Sequence, residues 1–173
     1  SRDYETAKIR AKNFSKKNNF FFSNGCNKNI FLGNSSMMLE TVDELKKKDK
    51  KIIKKKILAI LPVGNGSLAA PSSIVLKNTL LNVDIACVEP YNFRKSHKIL
   101  NNKIKLSLKK TVAEGTAVRR LPKESKKIIF QNCKYFFSFK EKEIINSMKF
   151  IFEKLKIISE GSGALSNALI LYY

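Results

Sequence analysis

The chain has 173 residues, 43% of them hydrophobic, and a formal net charge of +20 at pH 7. That length can bury one compact core. No apolar run is long enough to cross a bilayer and no signal-peptide pattern opens the chain, which points to a cytoplasmic protein with no membrane partner.

The charge first suggests nucleic acid. Nearly all of it is Lys rather than Arg, however, and Arg is the side chain that reads phosphates and guanine edges bidentately. Lys, Asn, Ile and Phe are all abundant, as AT-rich codons dictate, so compositional drift explains the basicity without a ligand. The densest run, Lys46 to Lys56, reads as a solvated loop. Cys26, Cys87 and Cys133 fit neither a disulfide framework nor a zinc spacing, and read as reduced structural residues. His97, the single histidine, reads as a surface or loop residue.

In chain order, Asp3 to Lys17 reads as a helix, with Ala7, Ile9, Ala11 and Phe14 on a partial apolar face. Phe20-Phe21-Phe22 reads as a short strand that ends in turn residues before Gly25. Gly33-Asn34-Ser35-Ser36 precedes Met37, Met38, Leu39, Val42 and Leu45, a spacing that predicts a helix capped by the serines. Ile57 to Val63 is almost entirely apolar, as expected of a parallel strand covered on both faces. Gly64-Asn65-Gly66 follows, then a helix over Ser67 to Leu80 and a strand over Val83 to Glu89, ended by Pro90. Strand, glycine loop, helix and strand make one βαβ unit. Tyr91 to Lys110 is polar and ambiguous, and Ala113-Glu114-Gly115-Thr116 reads as a loop. Ser138 and Glu141 suggest a capping box for an amphipathic helix over Lys140 to Lys154. A short strand, Lys156 to Ser159, leads through Glu160-Gly161-Ser162-Gly163 to a final apolar helix. The alternation predicts an α/β fold.

The glycine loop is the strongest site signal. Glycines let the backbone approach a ligand and take positive φ, while a following helix N-terminus offers free N–H groups and a favourable dipole. A plain tight turn is the bland alternative. No Gly-Lys-Ser/Thr follows, so the Walker pattern fails. Gly64-Asn65-Gly66-Ser67-Leu68-Ala69 does satisfy the dinucleotide pattern G-x-G-x-x-A, and Glu89 stands where a ribose-binding acid belongs. The loop by itself leaves both phosphate classes open.

Five blocks taken together carry a resemblance. Ile60 to Leu68 resembles the tetraglycine loop of pyridoxal-phosphate enzymes of the tryptophan-synthase-like type. Asn82 to Pro90, Ala113 to Arg119 and Ser159 to Leu165 continue it, and Ile30 to Ser36 resembles that family's I-A-G-Q-G-T stretch. Their order and spacing are most similar to threonine dehydratases and the related serine racemases. The resemblance implies a parallel twisted sheet with helices on both faces, the large-domain portion of a type II fold. Residues 1–30 would end a small domain and 31–173 would form part of the large, cofactor-binding domain, truncated at both ends.

The implied cofactor is pyridoxal 5'-phosphate, its phosphate held by Gly64, Asn65, Gly66, Ser67 and Leu68. Glu114 and Gly115 would lie near its ring, and Glu160 close to the active site. The implied reaction removes the α-proton of a small β-hydroxy amino acid, using the ring as an electron sink. The β-hydroxyl is then expelled, leaving a 2-oxo acid and ammonia. The family's Schiff-base lysine lies in an S-F-K-type motif upstream of the loop, and no residue here matches it. Lys140 follows Ser138-Phe139 but comes after the loop, so no catalytic residue is assigned. The small-domain S-G-N loop and a late serine-bearing turn are also unmatched. We therefore expect an incomplete chain, inactive alone and homo-oligomeric at full length.

Asn65 and Ser67 replace two loop glycines, Ser35 replaces another glycine, and Pro71 requires that the helix begin near it. Some relatives bind a divalent metal through a Glu and an Asp six positions later. Here Glu89 matches, but Lys95 takes the partner's place, so no metal site is expected. Two alternatives stand beside the enzyme reading: a basic module binding nucleic acid or another polyanion, and a nucleotide-binding dehydrogenase fragment.

Overall fold

The computed structural model describes residues 4–23, 25–96 and 110–173. A three-stranded parallel sheet lies at its centre: β1 (Ile57–Pro62), β2 (Val83–Pro90) and β3 (Tyr135–Phe139), in the order β1-β2-β3. The register pairs Ile57 with Val83 and Pro62 with Val88, then Ala86 with Tyr135 and Pro90 with Phe139.

Side chains alternate across a strand, so the middle strand must be apolar on both faces. In β2, Val83, Ile85 and Cys87 join one core with Leu61, Val42, Leu76, Ala70 and Ile129. Ala86 and Val88 point the other way, into a second core with Phe139, Ile144, Leu165 and Ala168. The first core is covered by α2 (Lys28–Lys48), α3 (Ala69–Thr79) and α4 (Lys123–Asn132), the second by α5 (Glu141–Leu155) and α6 (Gly161–Tyr172). Each fully buried side chain of the Ile85 kind contributes about 2 kcal/mol. Helices on both faces of a parallel sheet are the arrangement expected from the sequence. The strand covered on both faces is β2, however; β1 flanks it and leaves Leu58 half-exposed.

Several local expectations fail for identifiable reasons. The helix α1 (Tyr4–Lys17) forms as predicted, but Asn19 at φ 55° then turns the chain. That turn sets the Phe20 ring 6.0 Å from Phe14, and no strand follows. The serines do not cap α2. Asn27 does, its side chain accepting the Ile30 N–H at 2.9 Å. The helix runs on through Gly33, with Ser35 and Ser36 donating back to Leu32 and Gly33. Lys46–Lys48 complete its last turn, where cations complement the dipole. Lys51 to Lys56 includes a short 3-10 turn on the exposed side.

Pro71 sits in the first turn of α3; its neighbours Ala70 and Ser72 donate to Gly66 O and Leu68 O, and the Ser67 carbonyl between them, which a proline cannot serve, accepts the Asn34 amide instead. Pro90 is the last residue of β2 rather than the residue after it. Two elements went unforeseen, α4 and β3, and β3 absorbs Ser138. The box at α5 instead joins Lys140 N–H to the Glu143 carboxylate at 2.6 Å. Glu141 reaches away to accept the Val112 N–H at 2.8 Å. Lys156, at φ 58°, ends α5 in a left-handed cap, and the expected strand after it is irregular, with Ile158 89% exposed. Glu160 N-caps α6, so Gly161-Ser162-Gly163 is its first turn rather than a loop.

All three cysteines are free and buried. A hydrogen bond with Cys133, reinforced by burial, pushes the Cys87 thiol well above the usual thiol range. His97 and most of the ambiguous 91–110 segment lie outside the described residues.

The α2 cap gives a direct test by urea unfolding of the 173-residue chain. Asn27→Ala loses about 1 kcal/mol. Ser36→Ala, at the expected cap, instead gains up to about 0.5 kcal/mol from helix propensity.

Candidate functional site

The glycine loop leaves the sheet at Val63, which is fully buried and whose N–H donates to Val88 O at 3.0 Å. Gly66 adopts φ 84°, a conformation glycine takes without strain, and α3 begins three residues later. Among the described residues, the N–H groups of Gly64, Asn65 and Gly66 have no backbone acceptor. The Ser67 N–H is different. Asn65 Oδ1 accepts it at 3.0 Å, so Ser67 offers a ligand its hydroxyl rather than its amide. Leu68 is half-buried at the base of α3.

Side chains from two other segments hold the loop's carbonyls. Asn34, in the second turn of α2, donates its amide to Ser67 O at 2.8 Å, and the Cys26 thiol lies 3.6 Å from Asn65 O. Neither contact is foreseeable from local sequence. Asn34 reads as a turn residue and Cys26 as core, and only the resemblance block 30–36 hints that Asn34 belongs with the loop.

Three of the sequence blocks converge here. A Cβ on Gly64 would stand 2.9 Å from Gly115 O, and one on Gly66 would stand 2.7 Å from Ser125 Cβ. One on Gly115 would meet Ser162 Oγ at 3.0 Å and Glu160 Oε1 at 3.6 Å. Gly161 abuts the Val112 carbonyl too closely for any side chain. The Glu114–Thr116 turn is closed by Thr116 N–H to Ala113 O at 3.1 Å and Thr116 Oγ1 to Ala113 O at 2.9 Å. Glu114, Gly115 and Glu160 are thus gathered on the exposed side of the loop cluster.

Glu89 is elsewhere in character. It is fully buried at the end of β2, and its carboxylate accepts Ser96 Oγ at 2.6 Å and the Ser96 N–H at 3.1 Å. Lys95 Nζ stands 3.7 Å from it and donates to Val63 O at 2.7 Å. Burial holds the Lys95 ammonium below the usual lysine range, and the Glu89 charge opposes that shift. A carboxylate so enclosed has no face for a ribose, and the dinucleotide reading loses its acid.

The residues fit a phosphate. Free N–H groups, a left-handed glycine and a helix N-terminus meet where no side chain fits, with one amide of the sequence-assigned set withdrawn into the loop. Urea unfolding checks the packing: Gly66→Ala destabilises the chain by about 2–4 kcal/mol. Gly33→Ala, in an exposed helix turn with nothing within 4 Å, stabilises it by about 0.5–1 kcal/mol.

Comparison with known proteins agrees with this geometry. Residues 1–172 match the model of a family described as pyridoxal-phosphate dependent enzyme. The mitochondrial threonine dehydratase of Saccharomyces cerevisiae is 34% identical over 110 residues, covering 62% of this chain and 19% of that protein. The serine racemase of Dictyostelium discoideum superposes with a TM-score of 0.66 at 28% identity, covering 82% of this chain and 43% of that one. Maize serine racemase shares the fold with a TM-score of 0.80 at 21% identity, over 98% of this chain and 50% of that one. The chain spans half or less of the length of each of these relatives.

Proposed function

Because the chain belongs to the pyridoxal-phosphate-dependent enzyme family, we propose that it carries the phosphate-binding half of a threonine or serine dehydratase site. The observation that supports this most is the convergence of residues 64–68, 113–118 and 159–163 on one glycine-lined cluster.

The N–H groups of Gly64, Asn65 and Gly66 and the Ser67 hydroxyl hold the cofactor phosphate. The N-terminus of α3 adds the dipole, and Leu68 closes the base of the loop. When bound, pyridoxal phosphate supplies the electron sink that makes the substrate's α-proton removable. Asn34 and Cys26 keep the loop's carbonyls turned away from the anion by engaging Ser67 O and Asn65 O. Glu160, anchored at the start of α6 beside Gly115, offers an exposed carboxylate to hold a proton at the site's edge. The catalytic lysine is assigned to none of these segments, so the chain by itself binds without turning over. Residues 1–30 end the small domain and 31–173 belong to the large one.

Calorimetric titration with pyridoxine 5'-phosphate tests the loop, because this analogue lacks the aldehyde and does not react with surface lysines. Saturable binding is expected, with no binding of unphosphorylated pyridoxine. Gly66→Ala weakens it at least about tenfold, or 1.4 kcal/mol. Equal affinity for the two ligands rejects the phosphate role. The full-length gene product, assayed on L-threonine and L-serine, releases 2-oxo acid and ammonia; formation of D-serine alone makes it a racemase instead.

A further inference from the structure

The residue pair that matches a metal position in some relatives does not fit a divalent cation here. Glu89 supplies one carboxylate, but position 95 carries an ammonium in place of the second. Both residues are enclosed, Glu89 at 0% exposure and Lys95 at 1%. Among the described residues, the polar neighbours of Lys95 Nζ are Val63 O at 2.7 Å, Phe93 O at 3.4 Å and Glu89 Oε1 at 3.7 Å. The two carbonyls accept N–H groups of the ammonium, and the carboxylate, just beyond hydrogen-bond distance, supplies the opposite charge. Carbonyls and a carboxylate are also the oxygen ligands that hard divalent cations take. Nζ occupies the point where they converge.

We infer that the Lys95 ammonium is a built-in cation that replaces a divalent metal and anchors the glycine loop. It ties the end of β2 and the Phe93 turn to the carbonyl immediately before Gly64. Val63 is then held on both sides, by Nζ at its carbonyl and by Val88 at its N–H. A tethered cation cannot dissociate, so the loop keeps its position whatever the free metal concentration. This anchoring is independent of what the loop binds.

Thermal unfolding of the 173-residue chain in EDTA and then in millimolar MgCl2 or MnCl2 tests it. Wild type shows no saturable shift with either metal. Lys95→Met lowers the midpoint by roughly 10 °C, because Glu89 is left buried without its counter-charge, and added metal does not restore it. Lys95→Asp rebuilds the missing carboxylate. It is destabilised in EDTA and recovers saturably in MnCl2; if it is unfolded in EDTA, circular dichroism reports its folding on Mn²⁺ addition. A purely structural ion pair gives no reason for Mn²⁺ to rescue Asp and not Met. Saturable metal stabilisation of wild type overturns the inference, as does a Lys95→Asp variant indifferent to Mn²⁺ or a Lys95→Met variant as stable as wild type. None of these readouts involves the cofactor, so they stand apart from the phosphate-loop test.

Discussion

The C-terminal end of the parallel sheet is built on backbone approaching backbone. Gly64 rests against the Gly115 carbonyl and Gly161 against that of Val112, at separations that leave no room for a Cβ. Each contact joins segments far apart in the chain, and each needs its glycine because the partner is main chain, which cannot swing aside. With Gly66 at positive φ between them, these contacts bring polar N–H groups together in a half-buried place. Such groups need an acceptor, and in this fold class ligands sit beyond the carboxyl ends of the strands.

Around that cluster the chain deals with its charge in two ways. Most lysines lie on exposed surface, where water and salt screen them, as along the Lys46–Lys56 run. Lys95 is the opposite case, buried against Glu89 and two carbonyls. Fixing a buried charge in place has a large desolvation penalty, offset here by the opposite charge of Glu89 and by the two carbonyls that accept from Nζ. That makes the pair a rigid strut. Its position beneath Val63 places the strut under the loop that the glycine contacts shape from above.

Much of this was legible in the residues. The nearly unbroken apolar run Ile57 to Val63 marked β1 as a strand, although the cover on both faces that it predicted falls on the neighbouring β2, and a glycine loop between a strand and a helix suggests an anion site. The resemblance blocks pointed to Glu114, Gly115 and Glu160; in the fold Gly115 lies against Gly64 on one side and near Ser162 and the Glu160 carboxylate on the other. Elements whose identity depends on what they touch were misread. Phe20-Phe21-Phe22 has strand composition, yet a left-handed Asn19 folds it onto Phe14. Ser138 looks like a cap but lies in β3, where Phe137 and Phe139 pack on Tyr173. Ser35 and Ser36 look like caps as well, but an earlier Asn27 had already started the helix.

By itself the sequence determined the α/β class, the βαβ unit and the position of the glycine loop, because these follow from local periodicity and from glycine's own conformational freedom. The tertiary structure alone decided what each loop donor is free to do. Ser67's amide is taken by Asn65, its carbonyl by Asn34, and Glu89 is closed off by Ser96 and Lys95. Whether a hydrogen-bonding group is available depends on neighbours brought in by packing, up to tens of residues away along the chain. That distance is invisible to any pattern read along the chain.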